Sequence, residues 1–230
     1  MPSFPRTCRP SAFALFAEQM PLLEETPEAL LRAAIAISMH EHPVCDVERT
    51  IGRITELAER VRGRVFGDSE DALVAHAHAV LFDEEGFVGN SAHYFEAANS
   101  YLPLVLDRKL GIPISLSLIY VSVLQRLGVE AQGIQSPGHF LVRVATSGRE
   151  AFVDAFQRGR MHSRTEALAF LAQVHGKAID PAFALPIATH RQWLYRILQN
   201  LKGVFRDAGR TLDHAAMLEL EALLEIPTAR

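Results

Sequence analysis

The sequence holds very little cysteine: two residues, Cys8 and Cys45, in a chain of 230. Two cysteines far apart make neither a Cys-x-x-Cys pair nor an even-numbered framework, which excludes a zinc ribbon and a disulfide scaffold and suits a reducing compartment. Positive charge is also scarce. Lys and Arg number 23 against 27 Asp and Glu, a net charge of −4, so the broad basic field of nucleic-acid binders is missing and nucleic acid is not an expected partner. No apolar run approaches the eighteen or so residues that a membrane span needs. The opening "MPSFPRTCRPSAFALFAEQM" has no uninterrupted apolar stretch followed by a small-residue cleavage site, so a cytoplasmic protein without a membrane partner is expected. What is present is ordinary for a globular chain, 49% hydrophobic, 8% aromatic and 22% charged, and long enough for a real core at about 150 residues per domain.

Helical periodicity dominates the first third. "PEALLRAAIAISMHEHP" spaces Leu30, Leu31, Ala34, Ile35 and Ile37 along one face and stops at Pro43, and "DVERTIGRITELAERVRGRV" does the same with Ile51, Ile54, Leu57, Ala58 and Val61. "SEDALVAHAHAVLFDEEG" opens at a Ser69 N-cap and closes at Gly86. Residues 1–86 therefore read as a helical subdomain, 87–183 as a core, and 184–230 as a C-terminal helical pair. That pair, "THRQWLYRILQNLKGVFRDAG" closed by Gly209 and then "TLDHAAMLELEALLEI", resembles a single tetratricopeptide unit, too few for a stacking solenoid.

The core has a different texture. Gly86, Gly89, Asn90 and Asn99 punctuate a loop that leads to a short helix over Leu102 to Lys109. "ISLSLIYVSVLQRL", residues 114 to 127, is apolar nearly all round, with Ser115, Ser122 and Arg126 on one face, and reads as a buried central helix. "EAQGIQ", "HFLVRVA" and "EAFVDAF" follow as short strands, separated by "SPG" and by "TSGR", a hairpin signal.

A helix start at 113, a histidine at 139 and an aspartate at 154 follow the order used in thiol acyl transfer. There a nucleophile at a helix N-terminus is activated by a histidine that an acid orients, because the positive helix end stabilises the thiolate and the imidazole needs the right tautomer. The stretch "FVGN…YFEAANSYLPLVLDRKLGIPISLSLIY…PGHFLVR…FVDAF" resembles the transglutaminase-like superfamily, and within it the SirB-type branch of bacterial proteins that often carry a helical-repeat tail. The resemblance implies an α+β, papain-like core, a buried central helix packed on a small antiparallel sheet, flanked by N- and C-terminal helices. It also places His139 on the catalytic histidine, Asp154 on its acid, and Pro113 where a cysteine is expected.

Pro113 has a structural account as well, since the first turn of a helix tolerates a missing N–H. Ser115 is the hydroxyl nearest the helix start, but two residues along a helix is roughly 200° of rotation, so it points elsewhere than residue 113. The expectation is a non-catalytic or catalytically altered protein, a pseudoenzyme that binds a protein or an acyl or carboxylate ligand. A hydrolase or acyltransferase using Ser115, His139 and Asp154, and a scaffold acting through the C-terminal helices, stand as alternatives. Asn90 and Asn99 line a cleft or serve as turn residues; Arg108 and Lys109 attract an anion or form a solvated face. The sets His40, His42, Cys45, Asp46 and His76, His78 contain metal-ligand types, but histidines two apart on a helix diverge, and neither a metal nor a cofactor is expected.

Overall fold

The computed structural model describes residues 4–136, 138–176 and 185–225. The helices are α1 (Pro10–Gln19), α2 (Pro27–Ser38), α3 (Val47–Arg62), α4 (Glu70–His78), α5 (Leu102–Arg108), α6 (Pro113–Arg126), α7 (Arg164–His175), α8 (His190–Asp207) and α9 (Thr211–Glu225). The strands are β1 (Val88–Gly89), β2 (Leu110–Gly111), β3 (Glu130–Ser136), β4 (His139–Thr146), β5 (Arg149–Asp154) and β6 (Arg160–His162). The architecture is α+β. Contacts gather residues 1–51, 95–108 and 189–230 into one unit, and 52–94 and 109–188 into another. The sequence divides at 86 and 183, whereas the units interleave, because α8 returns to pack on α2 and on the three-ten turn at 97–100. The expected boundary at 183 and the Pro137 of "SPG" lie outside the described residues.

The helical unit pairs α1 with α2 and α8 with α9. Its caps follow the sequence. Thr26 accepts from the Ala29 N–H and Thr189 from that of Gln192, while Gly209 takes a φ of 68° after α8, the left-handed turn that closes the expected helix. The side chains of α9 also anchor the N-terminal segment: the Glu219 carboxylate accepts from the backbone N–H groups of Arg6, Thr7 and Cys8.

In the second unit β3, β4, β5 and β6 form an antiparallel sheet in that order, and β1 and β2 a small parallel one. The "TSGR" signal closes the β4–β5 hairpin, with Thr146 opposite Arg149. β6 carries no clear sequence signal, being three residues of which two are exposed. The periodicity also suggests one unbroken helix from Ser69 to Gly86. The chain instead leaves α geometry after His78 and runs as a π-helix over Ala79–Glu84, marked by the bond from the Glu85 N–H to the Val80 carbonyl at 3.0 Å.

Helix α6 is the centre of this unit. Every residue from Pro113 to Leu124 is buried, as an all-round apolar pattern requires. Pro113 takes the first turn, where its absent N–H leaves nothing unpaired. The Ile112 N-cap has no polar side chain, and the Ser115 hydroxyl does that work: it accepts from the Ile112 N–H at 3.2 Å and donates to the Ile112 carbonyl at 3.1 Å. Lower on the helix, Ser117 is fully buried and its Oγ has no hydrogen-bond partner among the described residues. The two serines therefore predict opposite responses in thermal and urea melts. Ser115→Ala loses about 1 kcal/mol or more, because a buried N–H is orphaned, whereas Ser117→Ala is neutral or stabilising, because only an unsatisfied hydroxyl is removed.

Candidate functional site

His139 is the first residue of β4 and Asp154 the last of β5. The register pairs Val142 with Val153, so Asp154 stands opposite Leu141, and alternation puts Leu141, His139 and Asp154 on one sheet face. The imidazole Nε2 lies 2.9 Å from Asp154 Oδ2, and both side chains are buried, Asp154 completely. The other carboxylate oxygen accepts from the N–H groups of Phe156 and Gln157 at 3.0 and 3.2 Å, capping the three-ten turn Ala155–Gln157. Nε2 is turned to the carboxylate, and Nδ1 makes no hydrogen bond among the described residues. A histidine oriented by an acid, with its second nitrogen available, is the arrangement that general base chemistry needs.

Aromatic rings enclose the pair. Phe156 meets the imidazole edge to face at 6.2 Å and Phe170 of α7 does so at 5.1 Å, while Tyr94 packs its ring edge on Phe156 at 5.9 Å. Phe156 reaches this place because residue 89 is glycine: a Cβ there would lie 2.3 Å from the phenyl ring. β1 thus joins the pair to the start of α6, since the next residue, Asn90, donates its N–H to the Gly111 carbonyl at 2.9 Å, two residues before Pro113. The Asn90 side chain is buried and accepts from the His93 N–H at 3.1 Å. α7 covers the sheet face that carries His139, through Ala167 and Leu171 on Ile134, Leu141 and Phe152. As α6 lies against β3 and β4, it takes the opposite face.

Other residues singled out by sequence are placed as follows. Lys109 pairs with Glu85 and lies over the Phe87 ring at 4.6 Å. Arg108, in the helical unit, pairs with Glu96 at 2.6 Å. The charges expected to draw an anion are therefore already committed to carboxylates, because each long side chain reaches an acidic neighbour that sequence distance hides. Asn99 is fully buried in the helical unit, in the three-ten turn at 97–100. Of the histidine sets, His40 bonds Asp213 at 3.0 Å and His78 bonds the Gly159 carbonyl at 2.6 Å. Burial pushes the Cys8 thiol up to about 12, with the Glu219 carboxylate adding to it, and burial also raises Cys45; neither is a ready thiolate.

Sequence reasoning missed His162, on β6 opposite Phe152 and on the same face as Asp154. Its ring stacks on Phe170 at 5.3 Å, it is 5% exposed, and its Nε2 has no hydrogen-bond partner among the described residues. Burial, then the charge of Arg160, pushes its pKa down, against the pull of Asp154 and Glu166. Only the pairing of a three-residue strand reveals it, and "GRMHS" carries no comparable signal.

The family model described as the transglutaminase-like superfamily matches residues 48–199. The chain belongs to the transglutaminase-like superfamily. A UPF0162 protein of Xylella fastidiosa is 35% identical over 204 residues, spanning 86% of this chain and 72% of its own. A UPF0162 protein of Pseudomonas aeruginosa is 26% identical over 207 residues, 89% of this chain and 74% of its own. The mouse F-box only protein 21 is 36% identical over 164 residues, 58% of this chain but 26% of its own. No solved structure matches the chain. Inside the matched span His139 and Asp154 are in contact, and Pro113 stands at the start of the central helix.

Two outcomes follow from this geometry. Asp154→Ala removes the acceptor of one imidazole and two backbone N–H groups in a buried site, so a loss of about 2–4 kcal/mol is expected in urea unfolding, with Asp154→Asn losing less because it keeps an acceptor oxygen. His162 is held below its ordinary value of 6.5, so the unfolded chain binds the proton more readily. Its contribution is complete above that value and is lost as pH falls through the window beneath it. Melting temperatures from pH 7.5 to 4.5 should therefore fall less steeply for His162→Phe, which keeps the stack on Phe170, than for the wild type.

Proposed function

We propose that this chain is a binding or regulatory member of the transglutaminase-like superfamily, of the SirB type, that keeps the histidine–aspartate pair and lacks a nucleophile at the start of its central helix. One observation carries the reading: Pro113 occupies the first turn of α6, while His139 and Asp154 remain joined at 2.9 Å in a buried site. A proline offers no thiol, hydroxyl or amine, so no covalent acyl intermediate forms at that position. The Ser115 hydroxyl donates to the Ile112 carbonyl and accepts from the Ile112 N–H, a helix-capping role that disfavours the serine hydrolase or acyltransferase. The ligand is a protein segment or small molecule presenting an acyl or carboxyl group, and its anchor is His139, since Arg108 and Lys109 are already paired. Pro113, Ser115 and Asn90 form its surroundings rather than a reaction centre. The two free thiols suit work in the reducing cytoplasm.

Turnover on a panel of amide, ester and amine-acceptor substrates tests the reading. The wild type and Ser115→Ala should both be inactive. Pro113→Cys should gain slow acyl transfer, partial at best because removing proline loosens the helix start, and that gain should vanish when His139→Ala is added. Robust wild-type turnover abolished by Ser115→Ala would establish the serine enzyme instead.

A further inference from the structure

The sheet face turned away from His139 borders a cavity of about 610 Å³, beneath α4. Val144 and Ala151 face each other across β4 and β5, Met161 stands beside them on β6, and register places all three opposite His139 and Asp154. Val74 and Ala75 of α4 form the roof. The cavity is open to solvent on one side, where Ala75, Arg149 and Met161 are exposed. The helix is tied at its start to the β4–β5 hairpin and at its end to the residue before β6 and to α6, with the cavity between them. At its start Asp71 accepts from the Thr146 hydroxyl at 2.8 Å, and Glu70 accepts from the N–H and hydroxyl of Ser147, each at 2.8 Å. At its end His78 donates to the Gly159 carbonyl at 2.6 Å and accepts from the Tyr120 hydroxyl at 3.1 Å. Directly beyond His78 the chain adopts the wide π turn, a costly geometry concentrated at functional sites.

The roof and floor are small or flexible apolar side chains, and Met161 is 52% exposed although it stands in a sheet. At the mouth Glu150 is held by Arg143 at 2.7 Å and by Arg164 at 3.6 Å, and Asp71 is turned to the Thr146 hydroxyl at 2.8 Å, whereas Arg149, which lines the same opening, makes no ion pair among the described residues. A cavity in the range of about 300–1,000 Å³, mainly apolar with one uncommitted guanidinium, suits a ligand with an apolar body and a single anionic head.

We propose that this cavity is a binding site for a small amphipathic carboxylate, its apolar body lying between Val74 and Ala75 and the Val144, Ala151 and Met161 floor, and its carboxylate held by Arg149. The site is independent of the His139 pair, on the other face of the sheet, and stands whether or not the reading of that pair holds.

The test uses the full chain labelled with methyl-¹³C methionine, with the Met161 signal assigned from Met161→Leu and decanoate as the probe below its micelle concentration. The Met161 methyl should shift saturably. Decanol should bind at least tenfold more weakly, and Arg149→Gln should weaken decanoate about tenfold while leaving decanol unchanged. Ala75→Phe, which fills the space, should abolish both titrations while its melting curve shows a folded protein; Ala75→Leu serves if the larger residue does not fold. Absence of a saturable Met161 shift, or equal binding of decanoate and decanol in both wild type and Arg149→Gln, would overturn the proposal.

Discussion

Burying Asp154 completely is tolerable only because its two oxygens accept three hydrogen bonds, one from His139 and two from the backbone of the turn that follows. That single carboxylate ties β4 to β5, orients the imidazole and fixes the turn that carries Phe156. Phe156 in turn depends on Gly89, the one residue type that leaves room for its ring, so β1 and β2, and with them the first turn of α6, are keyed to the same group. The histidine–aspartate pair is therefore a structural keystone of this unit, whatever else it does.

The same unit keeps polar groups without partners in places where few proteins keep them. His162 Nε2, Ser136 Oγ and Ser117 Oγ are all buried and unbonded among the described residues. Two of them, Ser136 opposite His139 and His162 opposite Phe152, share the sheet face of Asp154. Unspent hydrogen-bonding capacity beside an oriented imidazole marks a region whose stability is below what its packing would allow, and such deficits gather where a protein meets something other than itself. On the other face the cavity beneath α4 lies between the ties at Asp71 and His78.

Most of the helices and the three long strands were legible because burial imposes periods of 3.6 and 2 that side-chain chemistry records locally, and Ser69, Gly209 and "TSGR" marked ends by caps and turns, but α7, whose capping box at Ser163 and Glu166 was there to be read, was missed. The order Pro113, His139, Asp154 was legible too, since it depends on residue types alone. Other features were invisible for reasons of the same kind. The π turn after His78 leaves the apolar pattern unbroken, β6 is too short to show a period, and the carboxylates that occupy Arg108 and Lys109 lie 12 and 24 residues away.

The sequence by itself determined the α+β class, the buried central helix, the superfamily resemblance and the absence of a thiol or hydroxyl at position 113, because each follows from local composition and spacing. Only the tertiary structure decided that His139 and Asp154 touch, that Ser115 spends its proton on Ile112, that His162 joins their face, and that α8 and α9 interleave with the N-terminal helices. Those are relations between residues distant in the chain or settled by hydrogen-bond geometry, and they are fixed by strand register and packing, which no local window of residues contains.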